Sequence, residues 1–328
     1  MSKLHYVHGS ENHFFLLDVD ELKDSLDDVQ LSYLAQKLSH SDVLPYSDGL
    51  LVVDHSDHAE CIGQMKVFNS DGSVASMCGN GLRCVGRYLA EKFNQTDFKV
   101  QTMQADLNVH VFDDIAKGVS WVGVQIAPVK FAPADLPYTN LEFDQIINEE
   151  IPEFSDHLKF TSMAVPNPHL ISFVEDDNDL EEPLFNLGTY LNQPNDYYPD
   201  GVNVNFAKIL GKNKIFVRTF ERGVGFTNAC GTGMSATSMA FAMNYPESVD
   251  VNEPIDVFNP GGKVQTRVHT ELDNRWIQLM GNATFVGYIE ADEVDLLSQP
   301  IQNNLVESGE EADYLAFIDT IKQLKKTS

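Results

Sequence analysis

A chain of 328 residues, 43% of them apolar and 10% aromatic, is long enough for about two domains, each with its own core. Its 22 lysines and arginines stand against 49 acidic residues, a net charge of −27 that argues against a nucleic-acid backbone or an anionic membrane surface as partner. No run approaches the roughly 20 apolar residues of a membrane-spanning helix, and Met1-Ser2-Lys3-Leu4-His5-Tyr6 lacks a signal-peptide pattern, so a cytoplasmic location is expected.

In chain order the sequence reads as strands with few helices. Leu50–Val53, Gln64–Phe68, Leu107–Val111 and Trp121–Ile126 are short, β-branched or alternating, and fit antiparallel sheet. Asn69-Ser70-Asp71-Gly72-Ser73 is a turn that leads through a short strand to Cys78-Gly79-Asn80-Gly81, followed by a helix-like run. Pro128, Pro133 and Pro137 mark the expected crossing between halves. The texture then repeats: strands at Leu170–Val174, Val202–Phe206 and Lys214–Phe220 precede Cys230-Gly231-Thr232-Gly233 and a second helix-like run. Beyond Ile289 the composition turns acidic and polar. Ala312 to Leu324, with Leu315, Ile318, Ile321 and Leu324, predicts an added helix.

The two Cys-Gly-x-Gly phrases lie 152 residues apart, one in each half. The other cysteines, Cys61 and Cys84, have no such context and read as core residues. Four cysteines at these spacings match no zinc pattern, and a reducing compartment keeps them as thiols, so neither a metal nor a disulfide framework is expected. Glycine after cysteine at a helix start lets the backbone turn tightly and leaves the first N–H groups free for an anion such as a carboxylate. The same N–H groups favour a thiolate, lowering a thiol near 8.5 by at most roughly 1.5 units while burial pushes the other way. One cysteine as base and its twin as acid would then work on opposite sides of one carbon atom.

These motifs, in this order, resemble the diaminopimelate epimerases. The resemblance runs from His8 to about Ile289. It rests on His8-Gly9-Ser10-Glu11-Asn12-His13-Phe14, Asp48-Gly49-Leu50-Leu51, Phe68-Asn69-Ser70-Asp71-Gly72-Ser73 and Met77-Cys78-Gly79-Asn80-Gly81-Leu82-Arg83-Cys84. It continues through Asn167-Pro168-His169, Gly201-Val202-Asn203-Val204-Asn205-Phe206, and Phe220-Glu221-Arg222-Gly223-Val224-Gly225 to Ala229-Cys230-Gly231-Thr232-Gly233.

The resemblance implies an α+β fold of two pseudo-symmetric domains, each a mostly antiparallel sheet or barrel around a central helix. The expected boundaries are 1–128 with about 281–292, 129–280, and a helical extension over 293–328. It implies interconversion of LL- and meso-2,6-diaminopimelate without a cofactor, a step toward lysine and peptidoglycan, with Cys78 and Cys230 as the acid–base pair. Asn12, Asn69, Asn167, Asn203 and Arg222 would hold the substrate, chiefly its unreactive end. Glu221 and His169 would sit by the reacting amine, and the N–H groups of Gly79, Asn80, Gly231 and Thr232 would stabilise negative charge. The partner is a small molecule, and the resemblance allows a homodimer. Glu11 and His13 stand where the family usually has glycine and aspartate, Pro166 replaces a glycine before Asn-Pro-His, and Phe226 replaces a glutamate, which bears on substrate range. A racemase of another amino acid on the same scaffold is the nearest alternative. A pyridoxal-phosphate racemase lacks a convincing motif, a cysteine hydrolase would leave the second cysteine unexplained, and a thiol redox switch on the same two cysteines would form a reversible disulfide without turnover.

Overall fold

Short apolar runs punctuated by Asn, Asp and Gly turns make strands the dominant element of both halves. The computed structural model describes residues 2–271 and 274–326, the side chains of 177 and 322–326 excepted. Within them the chain divides into two compact units, Met1–Val124 with Met280–Ser328, and Gln125–Leu279. The elements are β1 (Ser2–Gly9), β2 (Asn12–Asp18), α1 (Asp28–Ser39), β3 (Gly49–Asp54), β4 (Cys61–Asn69), β5 (Val74–Ala75), α2 (Gly79–Phe93), β6 (Asp97–Gln101), β7 (Asp106–Ala116) and β8 (Val119–Ile126). There follow β9 (Glu149–Glu150), β10 (Lys159–Ala164), β11 (Pro168–Phe173), α3 (Glu182–Leu191), β12 (Asn203–Gly211), β13 (Lys214–Glu221), β14 (Gly225–Thr227) and α4 (Gly231–Asn244). The last are β15 (Ile255–Asn259), β16 (Gly262–His269), β17 (Trp276–Asn282), β18 (Thr284–Ala291), α5 (Glu293–Ser298), β19 (Val306–Glu307) and α6 (Glu310–Lys326).

The first unit pairs β1 with β2 antiparallel, β2 with β3 parallel, β3 with β4 antiparallel, β4 with β6 parallel and β6 with β7 antiparallel. The second repeats that series strand for strand as β10, β11, β12, β13, β15 and β16. The expected antiparallel sheet is therefore mixed, because in each unit the second strand reaches the third, and the fourth reaches its parallel neighbour, through a helix. The first crossover in each unit, α1 or α3, is absent from the one-helix-per-half reading. For α1 a signal existed: Asp27 and Gln30 form a reciprocal capping box, and Leu31, Leu34 and Leu38 are buried behind it.

The second crossover is the central helix. α2 packs against β1, β2, β4 and β7 of its own unit, and α4 against β11, β12, β13 and β16 of its own. α4 is buried over most of its length, which small residues permit, and the hydroxyls of Ser235, Thr237 and Ser238 donate to carbonyls four residues back at 2.8, 2.8 and 2.9 Å.

The segment after Ile289 belongs to the first unit rather than forming an appendage. β19 pairs with β18, and α6 packs on β18. Tyr314, Ile318 and Ile321 are buried, whereas Leu315 is 47% exposed, so the buried stripe runs through Tyr314 in its place. The side chain of Leu324 and residues 327–328 lie outside the described residues. No described helix is long and apolar enough to cross a membrane.

Candidate active site

Each unit presents its cysteine in the same way, as the residue capping the central helix. Cys78 has extended backbone (φ −143°, ψ 105°) and its Sγ accepts the N–H of Gly81 at 3.3 Å. Cys230 has φ −117°, ψ 107°, and its Sγ lies 3.6 Å from Thr232 Oγ1. Behind each, a short strand turns back on its neighbour: Ala75 pairs with Val67, and Thr227 with Thr219, each three residues before its cysteine. At both helix starts the second glycine is imposed by packing. A Cβ on Gly81 would come within 2.6 Å of Leu51 Cδ2, and one on Gly233 would strike Asn205 Oδ1.

Around Cys78 the polar groups are mutually held. Asn12 Oδ1 accepts from Asn80 Nδ2 at 3.2 Å and from the Cys78 thiol at 3.8 Å, while Asn12 Nδ2 donates to Asp48 Oδ2 at 2.6 Å. Asp48 also accepts the N–H of His13 at 2.9 Å and the Tyr46 hydroxyl at 2.6 Å, which makes it the organiser of this corner. Asn69 donates to Ser73 Oγ at 2.9 Å, tying the turn before the cysteine. Gly9 pairs with Asn12, so Ser10 and Glu11 alone close that hairpin, with φ of 56° and 62°. Such a turn needs positive φ at both residues. A glycine would meet that demand freely, and Glu11 meets it at about 1 kcal/mol of strain.

Around Cys230 the floor is polar. His169 and Asn205 are fully buried and Thr219 nearly so. Burial, then the charge of Arg222, lowers His169 to about 3, so the imidazole is neutral. Asn203 is 2% exposed and both ends of its carboxamide are engaged by backbone, Nδ2 with Pro168 O at 3.0 Å and Oδ1 with Arg222 N–H at 2.8 Å. Arg222 is exposed, one guanidinium nitrogen donating to Asp200 O at 3.1 Å. Glu221, half-buried, ends β13. Phe226 has a packing reason: it joins Phe185 and Phe220, and the Arg218 guanidinium lies 4.2 Å from its ring centre.

Asn12, Asn69, Cys78, Gly79 and Asn80 thus lie in the first unit, and Asn167, His169, Asn203, Glu221, Arg222, Cys230, Gly231 and Thr232 in the second. Sequence reasoning gave no role to Asn205 or Thr219. The signal for Asn205 was its place two residues after Asn203, on the same strand face. Cys84 is buried as expected and Cys61 only partly so, and burial pushes their thiols up to about 12 and about 11. Among the described residues, His58, Cys61 and Asp106, and separately Asp20, Asp54 and His55, lie close enough to share a cation, and neither group includes a motif cysteine.

The architecture defines the class first. The fold is that of two-domain α+β proteins typified by a Bacillus anthracis phenazine biosynthesis protein of the PhzF family (TM-score 0.60, 15% identity, 89% of this chain and 99% of that one). A probable proline racemase from Agrobacterium radiobacter is similar to the same degree (TM-score 0.59, 14% identity, 89% and 93%). The sequence carries the particular family. The diaminopimelate epimerase model matches residues 5–131 and 161–286. The chain is 47% identical to a diaminopimelate epimerase of Lactiplantibacillus plantarum over 96% of this chain and 97% of that protein, and 44% identical to one of Enterococcus faecalis over 97% and 98%. The chain belongs to the diaminopimelate epimerase family.

Proposed function

We propose that Cys78 and Cys230 are the two acid–base groups with which this chain carries out its family's reaction, the interconversion of LL- and meso-2,6-diaminopimelate on the way to lysine and peptidoglycan. The observation that carries the reading is the doubled cysteine cap: the same residue, at the same step of the same strand series, at the start of each central helix. A reversible inversion needs two groups of similar proton affinity, one to remove the α-hydrogen as thiolate and one to return a hydrogen as thiol.

In this reading Cys78 is the base toward the LL isomer and Cys230 toward the meso isomer, each acting as acid in the reverse sense. The first N–H groups of α2 and α4, from Gly79 and Asn80 and from Gly231 and Thr232, favour the negative charge that develops on the α-carbon and its carboxylate. The exposed guanidinium of Arg222 suits a substrate carboxylate because its planar fork pairs at two points. Glu221 serves the reacting amine. Asn12 and Asn203, whose side chains are held on both sides, shape the site by fixing their neighbours, and His169 acts through Asn167. The reaction uses no cofactor and takes place in the cytoplasm, and the finer architecture is that of the diaminopimelate epimerases.

The test is proton NMR of LL-diaminopimelate with reduced protein in heavy water. Loss of the α-hydrogen signal with appearance of the meso isomer is expected, and folded protein that exchanges a different amino acid instead would replace diaminopimelate as the substrate.

A further inference from the structure

Matching the two strand series residue by residue exposes a difference between the units. Thr219 holds the place of Val67, since each pairs with the residue three before its cysteine. Asn205 pairs with Thr219 as Leu51 pairs with Val67, so Asn205 holds the place of Leu51. Through the parallel pairs Leu16 with Leu51 and Ile171 with Asn205, His169 holds the place of Phe14, and Asn167 that of Asn12. The glycine test agrees in space: Leu51 blocks a side chain at Gly81, and Asn205 and Thr219 block one at Gly233. One floor is Phe, Leu and Val. The other is His, Asn and Thr, equally buried.

A buried polar cluster persists only when its hydrogen bonds are satisfied, and here they run in one direction. Asn205 Nδ2 lies 3.3 Å from the carbonyl of Asn203 and 3.5 Å from that of Leu170, which can only accept, so this end of the amide is the NH2. Its other end, Oδ1, takes the hydroxyl proton of Thr219 at 2.9 Å. The same NH2 lies 3.1 Å from His169 Nδ1, which must therefore offer a lone pair. A neutral ring then carries its proton on Nε2, which donates to Asn167 Oδ1 at 3.1 Å. With its oxygen turned to the ring N–H, the half-buried Asn167 presents its NH2 on the other side.

We infer that Thr219, Asn205 and His169 form a fixed relay that makes Asn167 a hydrogen-bond donor toward an anionic oxygen of the substrate, with Asn205 and Thr219 as positioning residues. The ligand class it selects is a carboxylate, and this deepens the epimerase reading on which it rests. Asn12, the counterpart, is held by Asp48 and Asn80 at its two ends and has no need of such a floor.

The experiment is NMR of imidazole-15N-labelled full-length reduced protein, with the His169 signals identified by their loss in His169→Gln, alongside steady-state kinetics. Wild type should show a neutral ring protonated at Nε2 at pH 7. Asn205→Asp replaces the donor by an acceptor and should move the proton to Nδ1, raising KM for diaminopimelate about tenfold or more with a smaller change in kcat. Thr219→Val, a residue the first unit already accommodates at this place, should leave a mixture of ring forms and raise KM severalfold. An Nδ1-protonated or charged ring in wild type, or ring inversion in Asn205→Asp with KM unchanged, would overturn the relay. The ring state needs no substrate to be read, so absence of epimerisation in wild type would sink the epimerase reading while leaving the relay judged on its own signal.

Discussion

Asn203 Oδ1 accepts the backbone N–H of Arg222 at 2.8 Å, while the other end of the same amide holds the Pro168 carbonyl. One buried side chain thereby fixes both the segment that carries Arg222 and the start of the strand that carries His169. Asn203→Ala should cost about 1–3 kcal/mol, because it strands the buried Pro168 carbonyl and the partly buried Arg222 N–H at once. Thermal unfolding should show the lowered midpoint, and KM should rise as Arg222 loses its anchor. An unchanged midpoint would mean that water replaces the amide.

Cys78→Ala and Cys230→Ala should each fold, since each removes only one sulfur, and each should lose epimerisation by orders of magnitude. Exchange of the α-hydrogen in heavy water, started separately from the LL and meso isomers, checks this. A single variant that retains substantial activity would remove that cysteine from the acid–base pair.

Alanine at the two second glycines should not be equivalent. At Gly81 the obstruction is the end of a Leu51 side chain, which can rotate away. At Gly233 it is Asn205 Oδ1, pinned by Thr219 and by the contacts of its own NH2. Gly233→Ala should therefore reduce kcat/KM at least tenfold more than Gly81→Ala, and matched losses would show that the second floor yields as readily as the first.

Burial, reinforced by the nearby His8, lowers His13 to about 4 from an ordinary value of 6.5. Between these values the unfolded chain binds a proton at this ring and the folded chain does not, so stability is lost as pH falls from about 6.5 toward 4. His13→Phe keeps a flat ring against Tyr6, which it now stacks on at 5.4 Å, and removes that proton. Its stability should fall less steeply with acid, by up to about 1.4 kcal/mol per pH unit within the window. Urea unfolding at pH 7, 6 and 5 measures the two slopes, and parallel slopes would refute the assignment.

The C-terminal helix should be indispensable to the first unit. Glu310 binds Arg87 at 2.6 and 2.7 Å with two oxygens and also accepts the Phe285 N–H at 3.0 Å, in a pair whose side chains are only 14% and 22% exposed. Glu310→Ala should cost about 2–3 kcal/mol by leaving the largely buried guanidinium with only the exposed Glu91 carboxylate and the Ala283 carbonyl, and the Phe285 N–H without its acceptor. A shift in the urea midpoint reports it, and an exposed-pair cost below 1 kcal/mol would place the helix among the dispensable parts.

The doubled cysteine phrase, most strands and the last helix were legible in the sequence because each has a local cause: a turn such as Asn69 to Ser73, a period of two, a tight glycine start. Gly72 does take positive φ there, at 84°, and the Asn69 N–H does reach Ser73 O at 2.8 Å. Parallel pairing was not legible, since it depends on which strands a crossover brings together and not on the letters within a strand. Nor was the inward turn of Tyr314 in place of Leu315, which tertiary packing decides. Asn167, His169 and Asn203 were legible only jointly, as a family order. Asn205 stands within that order with no role legible from it, because a buried asparagine acquires meaning only from the partners that close around it.

The two halves share one hydrogen-bond register, while the chemistry beneath the helices differs: a hydrocarbon floor in one, a floor of amide, hydroxyl and imidazole in the other. The backbone makes the units alike and the side chains divide their labour, so a chimera that exchanged the two cysteine helices alone would set each on the wrong foundation.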